Sequence, residues 1–238
     1  MQSELSEILL REGASLVGFA DLRGLPAQGR QGLDYGLSIA VTLDPQIINT
    51  ISGGPNHPYH QEYKRANTLL ANLSRRAADF LADQGFRAVP KAPTGENFDK
   101  LTLSTELPHK TVATRAGLGW IGKSALLINK QLGASFRLSS VLTDAVFETA
   151  DPVNRSLCGN CDLCVQACPV QAILNLNWEA GMARDSYYSA ALCYQAGKGY
   201  SAALQIESTI CGICIAVCPW TKKFMDRAKA RAAETGSL

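Results

Sequence analysis

Nowhere does this 238-residue chain approach the roughly 20 consecutive apolar residues of a membrane span, although 46% of it is hydrophobic. A transmembrane chain is therefore not expected. The amino terminus, Met1-Gln2-Ser3-Glu4-Leu5-Ser6-Glu7, lacks the basic start and apolar run of an export signal. That points to the reducing cytoplasm and away from a disulfide framework. Charge is sparse and balanced: 18% of residues are charged and the net charge of +2 is too small to argue for nucleic acid. The basic concentration Lys222, Lys223, Arg227, Lys229 and Arg231 reads as the solvated face of a closing helix. Histidine is scarce, with His57, His60 and His109 alone, and no Asp-x-His-x-x-Gly sequence offers a lower ligand to a corrinoid cobalt. No G-x-G-x-x-G fingerprint supports a dinucleotide, and no low-complexity tract is present.

Cysteine is what the chain has. Its eight cysteines fall in two clusters that end alike, Cys158-x-x-Cys161-x-x-Cys164-x-x-x-Cys168-Pro169 and Cys211-x-x-Cys214-x-x-x-Cys218-Pro219, with Cys193 alone between them. This is the ligand spacing of two iron-sulfur cubanes, in which a short loop wraps three corners and the fourth Cys, held by a Pro turn, reaches across to the other cluster. The spacing assigns Cys158, Cys161, Cys164 and Cys218 to one [4Fe-4S] cluster, and Cys211, Cys214, Cys168 and Cys193 to the other. Cys193 enters because an unmodified ferredoxin repeat would put a ligand where this chain has Ser208. The segment from Cys193 to Cys211 is then expected to be a loop. Structural zinc sites pair separated C-x-x-C knuckles instead and fit less well. Loading of the first motif alone is left open.

The rest of the chain exceeds a two-cluster ferredoxin by about 150 residues, enough for a domain with its own core. Periodicity predicts a helix over residues 3–11, strands at 16–20 and 37–43, and a long helix over 59–84 capped by Gly85. Residues 90–108, with Pro93, Gly95 and Pro108, read as an irregular loop of the kind kept for ligands. Strand character resumes at 126–128 and 136–144, and a helix over 221–233 closes the chain. The expected organisation is an α+β body over 1–150, a ferredoxin-like double-cluster domain over 151–224 and a helical tail over 225–238.

The segment before the cysteines, His109-Lys110-Thr111-Val112-Ala113-Thr114-Arg115-Ala116-Gly117-Leu118-Gly119-Trp120-Ile121-Gly122-Lys123, resembles the A-G-L-G-W-I-G-K block of epoxyqueuosine reductases. Those are cobalamin-dependent iron-sulfur enzymes of tRNA queuosine synthesis, related to reductive dehalogenases. Leu127-Ile128-Asn129, Leu142-Thr143-Asp144, Cys158-Gly159-x-Cys161, Cys193 and Cys218-Pro219-Trp220 follow in the order of that family, and the likeness covers roughly residues 60–224. The resemblance implies a nitroreductase-like α/β body reshaped to hold a corrinoid, with Lys110, Gly117, Gly119, Trp120, Gly122 and Lys123 at the cofactor. Glycines there would let backbone approach a flat macrocycle, unless they serve a helix-to-strand turn of the chain itself.

The family's acid, an Asp in a D-S-x-P-like stretch, falls on Leu103 or near Lys91 here, neither of them an acid. Asp99 or Glu106 would have to substitute, and Lys110, His109 and Glu106 are the catalytic candidates. The family's carboxy-terminal helical repeats are missing as well, so tRNA is not the expected partner. The expectation is an iron-sulfur oxidoreductase that passes electrons through two clusters to a bound cobalamin or other corrinoid. A ferredoxin- or flavodoxin-type donor would supply it, and a corrinoid protein is a possible partner. The alternatives are a dedicated electron carrier without an organic cofactor, a flavin enzyme, and epoxyqueuosine reduction itself.

Overall fold

The computed structural model describes residues 1–93 and 99–235, so Gly95 of the expected ligand loop and residues 236–238 of the expected tail lie outside it. In chain order the elements are α1 (Gln2–Arg11), β1 (Leu16–Asp21), β2 (Tyr35–Thr42), α2 (Pro45–Ile48), α3 (His57–Asp83), β3 (Ala88–Lys91), α4 (His109–Arg115), β4 (Trp120–Ile121), β5 (Leu127–Ile128), β6 (Phe136–Thr143), α5 (Leu163–Ala167), α6 (Ala190–Leu204), α7 (Ile213–Ala216) and α8 (Pro219–Thr235). The α+β class is the one expected.

The chain divides into two compact units, but not at residues 150 and 224. One comprises Met1–Thr42, Arg65–Gly119 and Phe136–Asn154, and the other Leu43–Lys64, Trp120–Ser135 and Arg155–Leu238. Two segments upstream of every cysteine therefore pack with the cysteines. Among the described residues α8 runs unbroken through residue 225, where Met225 is buried.

The first unit is an antiparallel sheet in the order β1-β2-β6-β3. Alternation along the strands sends Ser139 and Val141 to one face and Ser140 and Leu142 to the other. The Ser139 hydroxyl donates to the Leu70 carbonyl of α3, whose Leu70, Leu73, Ala77 and Leu81 are buried at helical spacing. On the other face α4 buries Val112 and Ala116 against Ala20, Leu22 and Leu142. Small residues admit it: a methyl added at Gly18 would stand 2.8 Å from Leu118, and one at Gly36 would stand 3.1 Å from Val112.

Two elements inside the expected irregular stretch and motif block are regular. β3 pairs with β6 as an edge strand, the place where a sheet tolerates a proline such as Pro90. α4 ends in a Schellman turn, with Leu118 N–H on Ala113 O at 3.0 Å, Gly117 N–H on Thr114 O at 3.3 Å and Gly117 at φ +69°.

In the second unit β4 and β5 form a short hairpin closed by Gly122 N–H on Leu126 O at 2.9 Å. The following turn meets the start of α8: Ala134 N–H donates to Thr221 Oγ1 at 2.9 Å, and a Cβ at Gly133 would lie 2.2 Å from Thr221 N. Because Gly133 also holds φ +61°, Gly133→Ala adds left-handed strain to an unrelievable backbone clash. We expect it to cost about 3 kcal/mol. Gly24→Ala, with nothing within 4 Å of the added carbon, should be near neutral. Urea midpoints followed by circular dichroism check this, and equal effects of the two substitutions would refute it.

Candidate metal centre

All eight cysteines are free thiols and all lie in the second unit. Cys158, Cys161, Cys164 and Cys218 line one cavity of about 170 Å³, with Cys214, Lys123, Pro219, Trp220 and Lys223 among the other walls. Local structure explains how they meet. Cys161 N–H closes a turn onto Cys158 O at 3.1 Å, and α5, a single turn of helix, then presents Cys164. Cys168 caps α5 in extended conformation, ψ 113°, so the chain leaves with Pro169. Cys218 immediately precedes α8. Burial raises its pKa, while the backbone N–H groups of Thr221 and Trp220 act in the opposite sense. The pKa of Cys164 is pushed up to about 11, by burial first and then by Cys158, Cys218 and Cys161 around it.

The remaining four thiols also sense one another. Burial raises the pKa of Cys193, Cys211 and Cys214. Cys168 adds to the rise at all three, Cys193 adds to it at Cys211 and Cys214, and Cys211 adds to it at Cys214. Cys193 is carried by α6, so the expected loop from Cys193 onward is largely helix. Ser189 caps it by accepting from Leu192 N–H, and Gln205 ends it in left-handed conformation. Gly197 and Gly199 disguised that helix in the sequence. Ser208, where a ferredoxin repeat has its ligand, pairs its hydroxyl with His60 Nε2 at 3.1 Å.

Does a sulfur-ligated, negatively charged group fit here? Lys123 is 4% exposed, and its ammonium donates to Asn175 Oδ1 at 2.8 Å. Among the described residues it meets no carboxylate. A buried cation in that position calls for negative charge nearby, which metal-bound thiolates in the same cavity would supply. Among the described residues no three His, Cys, Asp or Glu side chains close on one metal ion, and the thiolates of a four-iron cube stand farther apart than the ligands of a single ion. Soft donors, four to a set, with a buried cation at one set, fit the cube.

The residues expected to cradle an organic cofactor divide between the units, Lys110, Gly117 and Gly119 in the first and Trp120, Gly122 and Lys123 in the second. A methyl at Gly117 would stand 2.8 Å from Ala150 Cβ, and one at Gly122 would stand 2.4 Å from Ile128 Cδ1 and 3.4 Å from Cys158 Sγ. Protein atoms already fill both places. The two glycines serve the helix cap and the close approach of backbone to Cys158. Trp120 is 1% exposed and meets Trp220 edge-on, centroids 5.5 Å apart. Lys110 sits half-buried on α4.

The catalytic candidates are engaged within the first unit. His109 Nε2 donates to Ala92 O at 2.9 Å, which leaves Nδ1 to accept from the Ser140 hydroxyl at 3.0 Å. Glu106 is exposed and accepts from Gln28 at 2.6 Å. Asp99 bonds Thr102 Oγ1 and Leu101 N–H, which lower its pKa and keep it an ionised acceptor. Sequence reasoning missed Asn175, for which no signal exists. Lys223 is exposed, as read from the sequence, and its ammonium also lies 4.9 Å from the Trp220 centroid at the cavity wall.

Residues 157–221 match the family model of the 4Fe-4S double cluster binding domain, a stretch that contains all eight cysteines. The epoxyqueuosine reductase of Synechococcus sp. (strain CC9605) is 33% identical over 208 residues, covering 83% of this chain and 56% of that protein. The chain spans about half the length, or less, of such curated relatives. Among solved structures, epoxyqueuosine reductase from Streptococcus thermophilus superposes with TM-score 0.61 at 19% identity, over 93% of this chain and 66% of that one. A catabolic reductive dehalogenase in complex with 3-bromo-4-hydroxybenzoic acid gives 0.67 at 18%, over 91% and 31%. The sequence is epoxyqueuosine reductase-like, and the structural likenesses speak for a shared fold.

His109 carries a pH dependence. Burial lowers its pKa from 6.5 to about 4, against the opposing bond to Ala92, so between those values the unfolded chain binds the proton and the folded chain does not. Its contribution to stability is complete above pH 6.5 and declines as pH falls toward 4. Thermal midpoints over that range should fall less steeply in His109→Gln than in the parent, and parallel slopes would refute the assignment.

Proposed function

We propose that this chain is an iron-sulfur reductase of the epoxyqueuosine reductase kind, with Cys158, Cys161, Cys164 and Cys218 holding one [4Fe-4S] cluster and Cys168, Cys193, Cys211 and Cys214 the other. The observation that carries the proposal is the gathering of Cys158, Cys161, Cys164 and Cys218 around one cavity that the buried Lys123 also walls, with the other four thiols grouped beside it. Such clusters, when bound, supply one-electron transfer. The protein's own part is to exclude water from the sulfurs, to offset their charge with Lys123, and to direct amide N–H groups at them, as Ala172 does at Cys168 from 3.3 Å. Free cysteines and low-potential chemistry suit the reducing cytoplasm, with a ferredoxin- or flavodoxin-type protein as donor.

Transfer RNA, set aside on the sequence, returns as the substrate class. In its favour stand the names of the curated relatives and a structural neighbour solved with an epoxyqueuosine-modified tRNA stem loop. The second reading is a corrinoid acceptor, bound in this chain or carried by a corrinoid protein. It is favoured by a reductive dehalogenase neighbour whose structure suggests a mechanism for B12-dependent dehalogenation, but Gly117 and Gly122 lend it no support.

Anaerobic reconstitution should give about eight irons and as many sulfides per chain, and Cys193→Ala about half of each. Zinc in their place, or about four irons in the parent, would sink the cluster assignment. Loaded protein given dithionite should remove one oxygen from an epoxyqueuosine stem loop, as read by nucleoside mass spectrometry. No conversion, together with a spectral shift of added cobalamin that Gly119→Val abolishes, would favour the corrinoid reading.

A further inference from the structure

Lys123 stands two residues past β4, in a turn that Ala125 N–H closes onto Gly122 O at 2.9 Å. At 4% exposure it is a buried lysine, and it shares a cavity with Cys158, Cys161, Cys164 and Cys218. Its ammonium donates to Asn175 Oδ1 at 2.8 Å.

The segment around Asn175 is tied down on both sides. Leu174 N–H donates to Tyr187 O at 3.0 Å, and Ile173 bridges Tyr188. Asn177 Nδ2 donates to Gly159 O at 3.1 Å and Ser156 N–H to Trp178 O at 2.7 Å, which fastens the segment to the first cysteine loop. Asn175 itself takes φ +61°, a left-handed conformation that asparagine and aspartate tolerate better than other side chains. Its amide oxygen accepts from the ammonium and brings no charge of its own. A carboxylate at the same place would accept equally well and cancel the charge of the lysine.

We infer that Lys123, held by the uncharged Asn175 amide, raises the reduction potential of the cluster bound by Cys158, Cys161, Cys164 and Cys218. The inference rests on the proposed cluster assignment. One electron from the donor enters the cluster, which gains one negative charge; no proton moves and no bond forms or breaks. A fixed cation in a site poor in water stabilises the more negative form, so its field favours reduction. Lys223, on the wall of the same cavity but exposed, is screened by water and contributes far less.

Lys123→Met keeps an unbranched chain and removes the charge, while Asn175→Asp keeps the shape and the left-handed backbone and cancels that charge. Parent, both variants and Lys223→Met are reconstituted anaerobically and titrated with dithionite, following the paramagnetic signals of the reduced clusters. The signal that disappears in Cys193→Ala identifies the other cluster. In Lys123→Met the ratio of reduced to oxidised first cluster at the parent's midpoint should fall about tenfold, a shift of about 59 mV to more negative potential for a one-electron couple. Asn175→Asp should shift it the same way, and Lys223→Met much less. An unmoved midpoint in loaded Lys123→Met or loaded Asn175→Asp would overturn the inference, as would a Lys223→Met shift as large as that of Lys123→Met. Should Lys123→Met lose the iron of the first cluster, Asn175→Asp decides: a shift upholds the inference, and loss of iron there too makes the pair merely structural and overturns it. A parent protein that takes up zinc, or clearly fewer than about eight irons, overturns the cluster assignment itself, an outcome visible before any variant is titrated.

Discussion

Sulfur anions repel one another, and in a buried site of low dielectric they repel strongly. The second unit is organised around that constraint. Burial first, and then three other thiols, push the pKa of Cys164 up to about 11, and burial with the neighbouring thiols pushes that of Cys214 well upward too. Each element nearby supplies positive charge or a donor to relieve it. The hairpin of β4 and β5 brings Lys123, and the start of α8 brings the Thr221 and Trp220 amides to Cys218. A metal core completes the relief, which is why metal uptake at such a site releases protons and depends on pH.

The block from His109 to Lys123 reads as one motif, but the fold cuts it after Gly119. Its first half is α4 and a Schellman turn, packed on a sheet face made shallow by Gly18 and Gly36. Its second half is the hairpin that lines the first set of sulfurs. The glycines were legible in the sequence, but their purpose was not, because only coordinates reveal that Ala150 and Ile128 already occupy the space beside them.

Other features divide in the same way. Cysteine spacing was readable because three ligands of a cube come from one short loop, and Cys193 followed from counting. The helix that carries Cys193 was not readable, since two glycines blur its period, and β3 was hidden by Pro90. The division into units escaped because the partners of residues 43–64 and 120–135 lie far along the chain.

That weaving of the chain bears on how the protein is made. Ile51 and Tyr59 pack against Gly212, which leaves the ribosome long after them. At 5–20 residues per second the wait is on the order of 10–30 s. The first unit has all its strands once residue 143 has emerged, while the apolar segments destined for the second stay without their partners. A gene fragment cut near residue 150 would accordingly give a cysteine segment stripped of its hairpin, its buried lysine and half its core.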